Sequence, residues 1–312
     1  MKPAHERSIG APVRSGASTR EAVARQLRRD IEALTQHHDR RPGGAGHAEA
    51  RAYLARRLAE LALPTYAGES YLAPYGADVV NVLAAIHGSD RHRRPVVLAT
   101  NYDGARGSPG AGENAASVAI ILAAAPRLQA AALDRGVVVA LLDDVAPPRH
   151  RDSATGATVL LTDQRRHDVK AAVVLDRLGH RSDEATAATV FVTGAETDAR
   201  LPSVLTGVTN DRFRLVPVHR RRRKDVTVSA PFVAAGVPYL ELCGGHWSGH
   251  GSPHDTLQRL DVSLLVDLVD TVETLVRRLD RVRLPGPYEG YDSSAFEGEA
   301  LADARRRTQL MP

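Results

Sequence analysis

The sequence predicts an α/β fold in which a mostly parallel central mixed sheet carries helices on both faces. Short apolar runs of strand length alternate along the chain with longer segments of helical periodicity. Several of the runs are apolar throughout, which is typical of strands that are buried on both faces. The chain has 312 residues, of which 43% are hydrophobic and only 4% aromatic, so Ala, Val and Leu have to fill one large core.

The first half of the chain begins with two amphipathic helices. Val23, Leu27, Ile31 and Leu34 recur at helical spacing, and the Pro42-Gly43-Gly44 step ends that helix. A charged turn then separates two apolar runs, and an Ala-rich helix follows. The elements predicted here are helix 21–34, helix 47–61, strand 79–86, strand 95–100 and helix 114–131.

The second half continues the alternation. It contains no internal repeat, and no linker rich in Pro, Gly and Ser divides it from the first half. We therefore expect a single domain over residues 20–284, with a disordered polar arm at 1–19 and an irregular tail at 285–312. The elements predicted here are strand 137–142, helix 154–164, strands 171–175, 189–193 and 237–243, and helix 260–279.

Composition narrows the function classes. The formal net charge is +4, and the one basic run is Arg220–Lys224, preceded by His219, so nucleic acid is not the favoured partner. The single cysteine, Cys243, rules out an intramolecular disulfide. The chain shows neither a signal-peptide pattern at its start nor 18 continuous apolar residues, so we expect a cytoplasmic protein without a membrane span. Its oligomeric state cannot be predicted from these features.

Polar residues follow several of the predicted strands. Because ligands bind at the carboxyl ends of strands in such sheets, these residues are candidates for one shared site. Carboxylates and imidazoles together would suit zinc. The candidates are Asn101, Asp103, Glu113 at the following helix start, Asp143, Asp144, Asp176, and the late-loop residues His246, Trp247, His250 and His254.

Each candidate also has a structural interpretation. Acids at strand ends often cap the next helix or bind loop amides. We expect this role for Asp255, which precedes the final helix. A single histidine in a Gly-rich loop is more often a surface residue than a metal ligand. The coincidence of several candidates is therefore better evidence than any one of them.

Five segments occur in the order found in a known family. The strand end at 101–103 and the loop at 110–117 resemble a metal-binding strand–loop–helix, and Leu175–Gly179 is similar to a Leu-Asp-x-x-Gly motif. The chain thus resembles the zinc aminopeptidase and glutaminyl cyclase family over roughly residues 20–280, which implies a zinc-exopeptidase-like fold. The remaining matching segments are 38–54, 230–238 and 252–261.

The departures from the family pattern fall on the metal ligands. Asn101 stands at the position of a ligand His, and Glu113 at that of the bridging Asp. The Asp-x-Glu-Glu motif is reduced to residues 143–146, Asp-Asp-Val-Ala. The last ligand His aligns with Gly251, between His250 and His254. The family's two-zinc reaction is therefore not expected here, because that reaction needs most of these ligands together with a general base.

The resemblance implies at most one zinc ion, or none. The metal ligands would be Glu113, Asp144, Asp176 and His250. The catalytic groups would be Glu113, Asp143, Asp144 and His254. Asn101, Asp103 and Trp247 would contact the substrate.

Two functions from different classes follow from this resemblance. One is an enzyme that hydrolyses, cyclises or transfers an amide or amino-acyl group of a small or peptide-like substrate. The alternative is a catalytically inactive pseudo-peptidase that serves as a binding or scaffold protein. A third reading, nucleic-acid binding through Arg220–Lys224, rests on the basic run alone.

Overall fold

The computed structural model describes residues 16–37, 39–143, 155–162, 169–180, 188–208, 211–222 and 228–285. Asp144, part of the basic run and most of the two predicted end segments lie outside these ranges. Within them, none of the helices has both the length and the apolarity to cross a membrane.

The described residues form one eight-stranded sheet with the order β1-β2-β4-β3-β5-β8-β6-β7. β3 pairs in parallel with β4 and β5, β5 with β8, and β6 with β7, whereas the other pairs are antiparallel. The predicted mixed sheet is confirmed. The strands are β1 Leu72–Pro74, β2 Val80–Ile86, β3 Val96–Asn101, β4 Val137–Leu142, β5 Ala171–Asp176, β6 Ala188–Thr193, β7 Phe213–Pro217 and β8 Tyr239–Cys243.

Helices cover both faces of this sheet, as predicted. One face packs against α1, α2, α3, α5 and α7, and the other against α4 and α6. Every residue of β3, β4 and β5 is buried, which explains why β4 is apolar throughout and why β3 and β5 are apolar up to their polar carboxyl ends. The helices are α1 Gly16–Thr35, α2 Ala45–Glu60, α3 Ala116–Gln129, α4 Gly156–Thr162, α5 Leu201–Leu205, α6 Ala230–Ala234 and α7 Val262–Arg281.

Four short elements escaped the sequence prediction: β1, β7, α5 and α6. β1 has three residues and β7 is a partly exposed edge strand that ends at Pro217, so neither has a continuous apolar run. α5 and α6 have five residues each, too few for a periodic pattern. α1 also begins at Gly16, so the arm predicted for residues 1–19 overlaps its first turn.

Candidate functional site

The candidate acids lie along one edge of the sheet. Since β3, β4, β5 and β8 run parallel to one another, their carboxyl ends meet there. Asn101 pairs with Leu142 at the end of β4, and Asp176 pairs with Cys243 at the end of β8. The structure therefore places the strand ends together as the sequence predicted.

The loop before α3 is fixed by the late loop. Gly110 adopts a left-handed conformation with φ 66°, and residues Ala111–Ala115 then form a π-helical turn. The Asp255 carboxylate accepts hydrogen bonds from the backbone N–H groups of Gly112, at 2.6 Å, and Glu113, at 3.0 Å. Asp255 is thus structural, as expected, although it holds this loop, and Asp261 caps the final helix instead.

Glu113 is an acid of this edge with a strongly raised pKa. Burial raises its pKa to about 7, against the opposing effect of the Arg40 guanidinium, and the nearby Asp103 and Asp255 raise the pKa further. Its Oε2 atom is enclosed and has no hydrogen-bond partner among the residues that the structure describes. The residue as a whole remains partly exposed. Near neutral pH this carboxyl group therefore exists in both protonation states.

Arg40 is a fully buried cation beside these acids. Its guanidinium donates to the carbonyl oxygens of Tyr102 at 3.0 Å, Leu34 at 2.9 Å and Pro109 at 2.5 Å. It also donates to the Asn114 side chain. Burial lowers the pKa of Arg40, and the nearby acids, with Glu113 first among them, oppose that effect. Arg40 therefore ties α1, the end of β3 and the loop before α3 to one point.

The side-chain amide nitrogen of Asn101 binds Asp103. Its Nδ2 donates to the carboxylate Oδ1 and the carbonyl oxygen of Asp103, both at 3.1 Å. The Asn114 amide donates to the same carbonyl oxygen. Asn101 and Asp103 are both buried. Their predicted role in substrate binding stays a prediction, because these contacts lie within the protein.

Asp143 belongs to a separate buried cluster. Its carboxylate lies 2.9 Å from Nε2 of His47, and accepts from the Val80 N–H at 2.7 Å and the Tyr102 hydroxyl at 3.0 Å. The His47 and Tyr102 rings stack at 5.3 Å. Burial raises the pKa of Tyr102, followed by the effect of the Asp143 charge. These contacts join α2 to the sheet, and the proposed catalytic role of Asp143 stays a prediction.

Asp176, the acid at the end of β5, is paired with its own neighbour. Nε and Nη2 of Arg177 lie 3.0 and 2.9 Å from Asp176 Oδ2. Nη1 of Arg177 lies 3.2 Å from Nδ1 and 2.5 Å from Nε2 of His246. A guanidinium therefore lies between a carboxylate and an imidazole that were candidates for metal binding.

The histidines of the late loop occupy different environments. The His250 ring meets the His246 ring edge-on at 5.1 Å, whereas His254 is exposed. The indole of Trp247 stacks on His180 at 4.4 Å. Its Nε1 is enclosed, with no hydrogen-bond partner within the described part of the chain. The loop thus brings His246 to Arg177 and places His250 beside His246, whereas His254 is exposed.

The candidate metal donors that the structure describes do not converge on one point. Within the described ranges, no group of three His, Cys, Asp or Glu side chains is arranged to hold a metal ion. Glu113 lies with Arg40 and Asp103, Asp176 lies with Arg177, and Asp144 is outside the described residues.

Sequence reasoning missed the two arginines of the site. Arg40 lies in segment 38–54, which matches the family. Its position directly before the Arg41-Pro42-Gly43 step was the signal that could have identified it. Arg177 lay directly after a candidate ligand. Because arginine is usually exposed, the sequence alone does not mark either residue as a buried cation.

Replacing Asp255 by Asn should lower the free energy of unfolding by about 1–2 kcal/mol, because two charge-assisted bonds to Gly112 and Glu113 are weakened. It should also move the pKa of Glu113 down, since the Asp255 charge raises it. Urea denaturation and an NMR titration of the Glu113 carboxyl would measure both effects. Asp261→Asn makes the same substitution at the N-cap of α7, where an Asn side chain still caps, and should leave the pKa of Glu113 unchanged. An equal shift of that pKa in both variants would contradict the assignment.

Comparison with solved structures places the fold among zinc-dependent exopeptidases and glutaminyl cyclases. Legionella pneumophila LapA aminopeptidase matches with a TM-score of 0.69 at 15% identity, over 89% of this chain and 79% of that one. Tannerella forsythia glutaminyl cyclase gives 0.64 at 20% identity, over 81% and 98%. A Zn-dependent exopeptidase from Parabacteroides distasonis gives 0.66 at 15% identity, over 81% and 97%.

The family itself is shown by the sequence. The model of peptidase family M28 matches residues 81–276, and the chain belongs to that family. A search of curated proteins found no match. The predicted resemblance and the zinc-exopeptidase-like fold are confirmed.

Proposed function

We propose that this protein is an enzyme of the M28 family that acts on an amide or amino-acyl group without the two-zinc reaction. The observation that carries the proposal is Glu113, an acid at the sheet edge whose pKa is raised to about 7 by burial. A group that titrates near the working pH is suited to both accept and donate a proton.

Acyl transfer to an amine, including cyclisation, is the reaction that these residues support best. The amine nitrogen of the substrate attacks the amide carbonyl carbon, and Glu113 accepts the proton that the amine loses. Glu113 then donates this proton to the departing nitrogen, which leaves as ammonia or an amine. An amine nucleophile needs no metal to activate it, whereas a water nucleophile gains much from one.

The test uses peptides with N-terminal glutamine and a panel of amino-acyl amides, assayed in excess chelator. We expect turnover that the chelator leaves unchanged, with a pH dependence centred near pH 7. Glu113→Gln should lower kcat/KM by about 100-fold or more. Glu273→Gln, which changes an acid of α7 that pairs with Arg277, is the matched control and should keep full activity. Turnover that survives in Glu113→Gln would refute the role of Glu113.

A catalytically inactive binding protein is the second candidate. Asn101 and Asp176 align with metal-ligand positions of the family. The contacts of Asn101 with Asp103 and of Asp176 with Arg177 favour this function, because both side chains bind other protein groups. Absence of turnover over the whole panel, together with saturable binding of the same peptides in fluorescence anisotropy, would support this function over the first.

A further inference from the structure

The backbone at the end of β5 holds Arg177 in a specific conformation. Arg177 has φ 51°, a left-handed conformation that costs a residue with a side chain about 1 kcal/mol or more. Its N–H donates to the Glu113 carbonyl at 3.2 Å, and its carbonyl accepts from Gly244 at 3.1 Å. A Cβ on Gly244 would lie 2.3 Å from that carbonyl oxygen, so β8 can approach only with glycine there. The strained turn is thus fixed from two sides.

In this turn the guanidinium of Arg177 contacts the carboxylate of the preceding residue, Asp176. Asp176 is largely buried, and its Oδ2 lies within hydrogen-bond distance of two nitrogens of the fork. His246, on the loop after β8, approaches the third nitrogen. A guanidinium has donors only, so the nearer imidazole nitrogen, Nε2 of His246, must accept.

A metal ion would need the same lone pairs. Zinc binds carboxylate oxygens and neutral imidazole nitrogens, the two acceptor types that Arg177 contacts here. The guanidinium is charged at all working pH values, so it compensates the Asp176 charge permanently. A metal ion and the guanidinium therefore compete for one position.

We propose that Arg177 is a built-in cation that takes the place of a metal ion at Asp176 and His246. Removing its charge leaves the Asp176 carboxylate and the His246 imidazole as donors to a metal ion at this corner. This inference concerns Asp176, Arg177 and His246 alone and does not depend on whether Glu113 catalyses a reaction. The inference and the proposed function can therefore fail separately.

The test is zinc titration of the full-length Arg177→Met variant by calorimetry, after treatment with a chelator. We expect zinc to bind at one site per chain, at least about 100-fold more tightly than to the wild type. The double variant Asp176→Asn/Arg177→Met should lose that gain. Arg127→Met, which removes an arginine that pairs with Asp270 and Glu273, is the matched control and should gain nothing.

Two results would overturn the proposal. One is a folded Arg177→Met variant, verified by circular dichroism, that binds zinc no better than the wild type. The other is wild-type protein that binds zinc stoichiometrically and loses it in Asp176→Asn.

If Arg177→Met does not fold, the wild type itself supplies the test. The Nε–H of Arg177 should exchange slowly with solvent by NMR, and Asp176→Asn should accelerate that exchange by about 10-fold or more, because a charged acceptor is lost. Unchanged exchange would contradict the proposed ion pair.

Discussion

Replacement of Arg40 by Met is expected to lower the free energy of unfolding by about 4 kcal/mol. The variant leaves buried carbonyl oxygens of Leu34, Tyr102 and Pro109 without their donor. It also removes the positive charge that opposes the raised pKa of Glu113, so that pKa should rise further. Urea denaturation monitored by circular dichroism would measure the first effect and an NMR titration the second.

Two further variants make this test specific. Arg40→Lys keeps the charge but cannot reproduce the planar fork, so we expect an intermediate loss. Arg93→Met removes an exposed arginine that pairs with Asp90 and Asp134, and should change stability by no more than about 0.5 kcal/mol. An effect of Arg40→Met as small as that of Arg93→Met would show that Arg40 is not a structural centre.

The second large effect concerns Glu113 and pH. Its folded-state pKa of about 7 lies above the ordinary value of 4.5, so in the interval between them the folded state binds more protons than the unfolded state. Stability from this group is therefore fully present below about pH 4.5 and is lost as the pH rises through about 7. The loss integrates to about 3 kcal/mol.

Glu113→Gln removes this titration and should remove the corresponding pH dependence. Urea denaturation at a series of pH values would compare the two proteins. Relative to Glu113→Gln, the free energy of unfolding of the wild type should fall by about 3 kcal/mol as the pH rises. Glu273→Gln, which changes an acid of α7 that pairs with Arg277, should follow the wild type at every pH. A wild type and Glu113→Gln that run parallel across the series would mean that Glu113 titrates normally.

The sheet could be predicted because each central strand is marked by its own stretch of sequence. β3, β4 and β5 are buried on both faces, so each appears in the sequence as an uninterrupted apolar run. The gathering of Asn101, Asp143 and Asp176 at one edge then follows from parallel pairing alone. The fold, and the sheet edge at which the candidate residues lie, were therefore accessible from the sequence.

The partners of the site residues were not predictable, because they depend on long-range contacts and on backbone conformation. His47 reaches Asp143 across 96 residues, and no local pattern marks that pair. Asp176 and Arg177 are adjacent, yet alternate side chains of an extended strand point to opposite faces. Arg177, which follows β5, has a positive φ, and its guanidinium reaches Asp176 from this non-extended conformation.

The hydrogen bonds between Asp255 and the loop before α3 also bear on the order in which parts of the protein fold. The contact from Asp255 to Gly112 spans 143 residues. A contact of such separation closes a very long loop of chain, and it forms only after the intervening strands have assembled. During synthesis the turn that carries Glu113 leaves the ribosome long before Asp255 does, so this edge of the sheet acquires its final shape among the last parts of the domain.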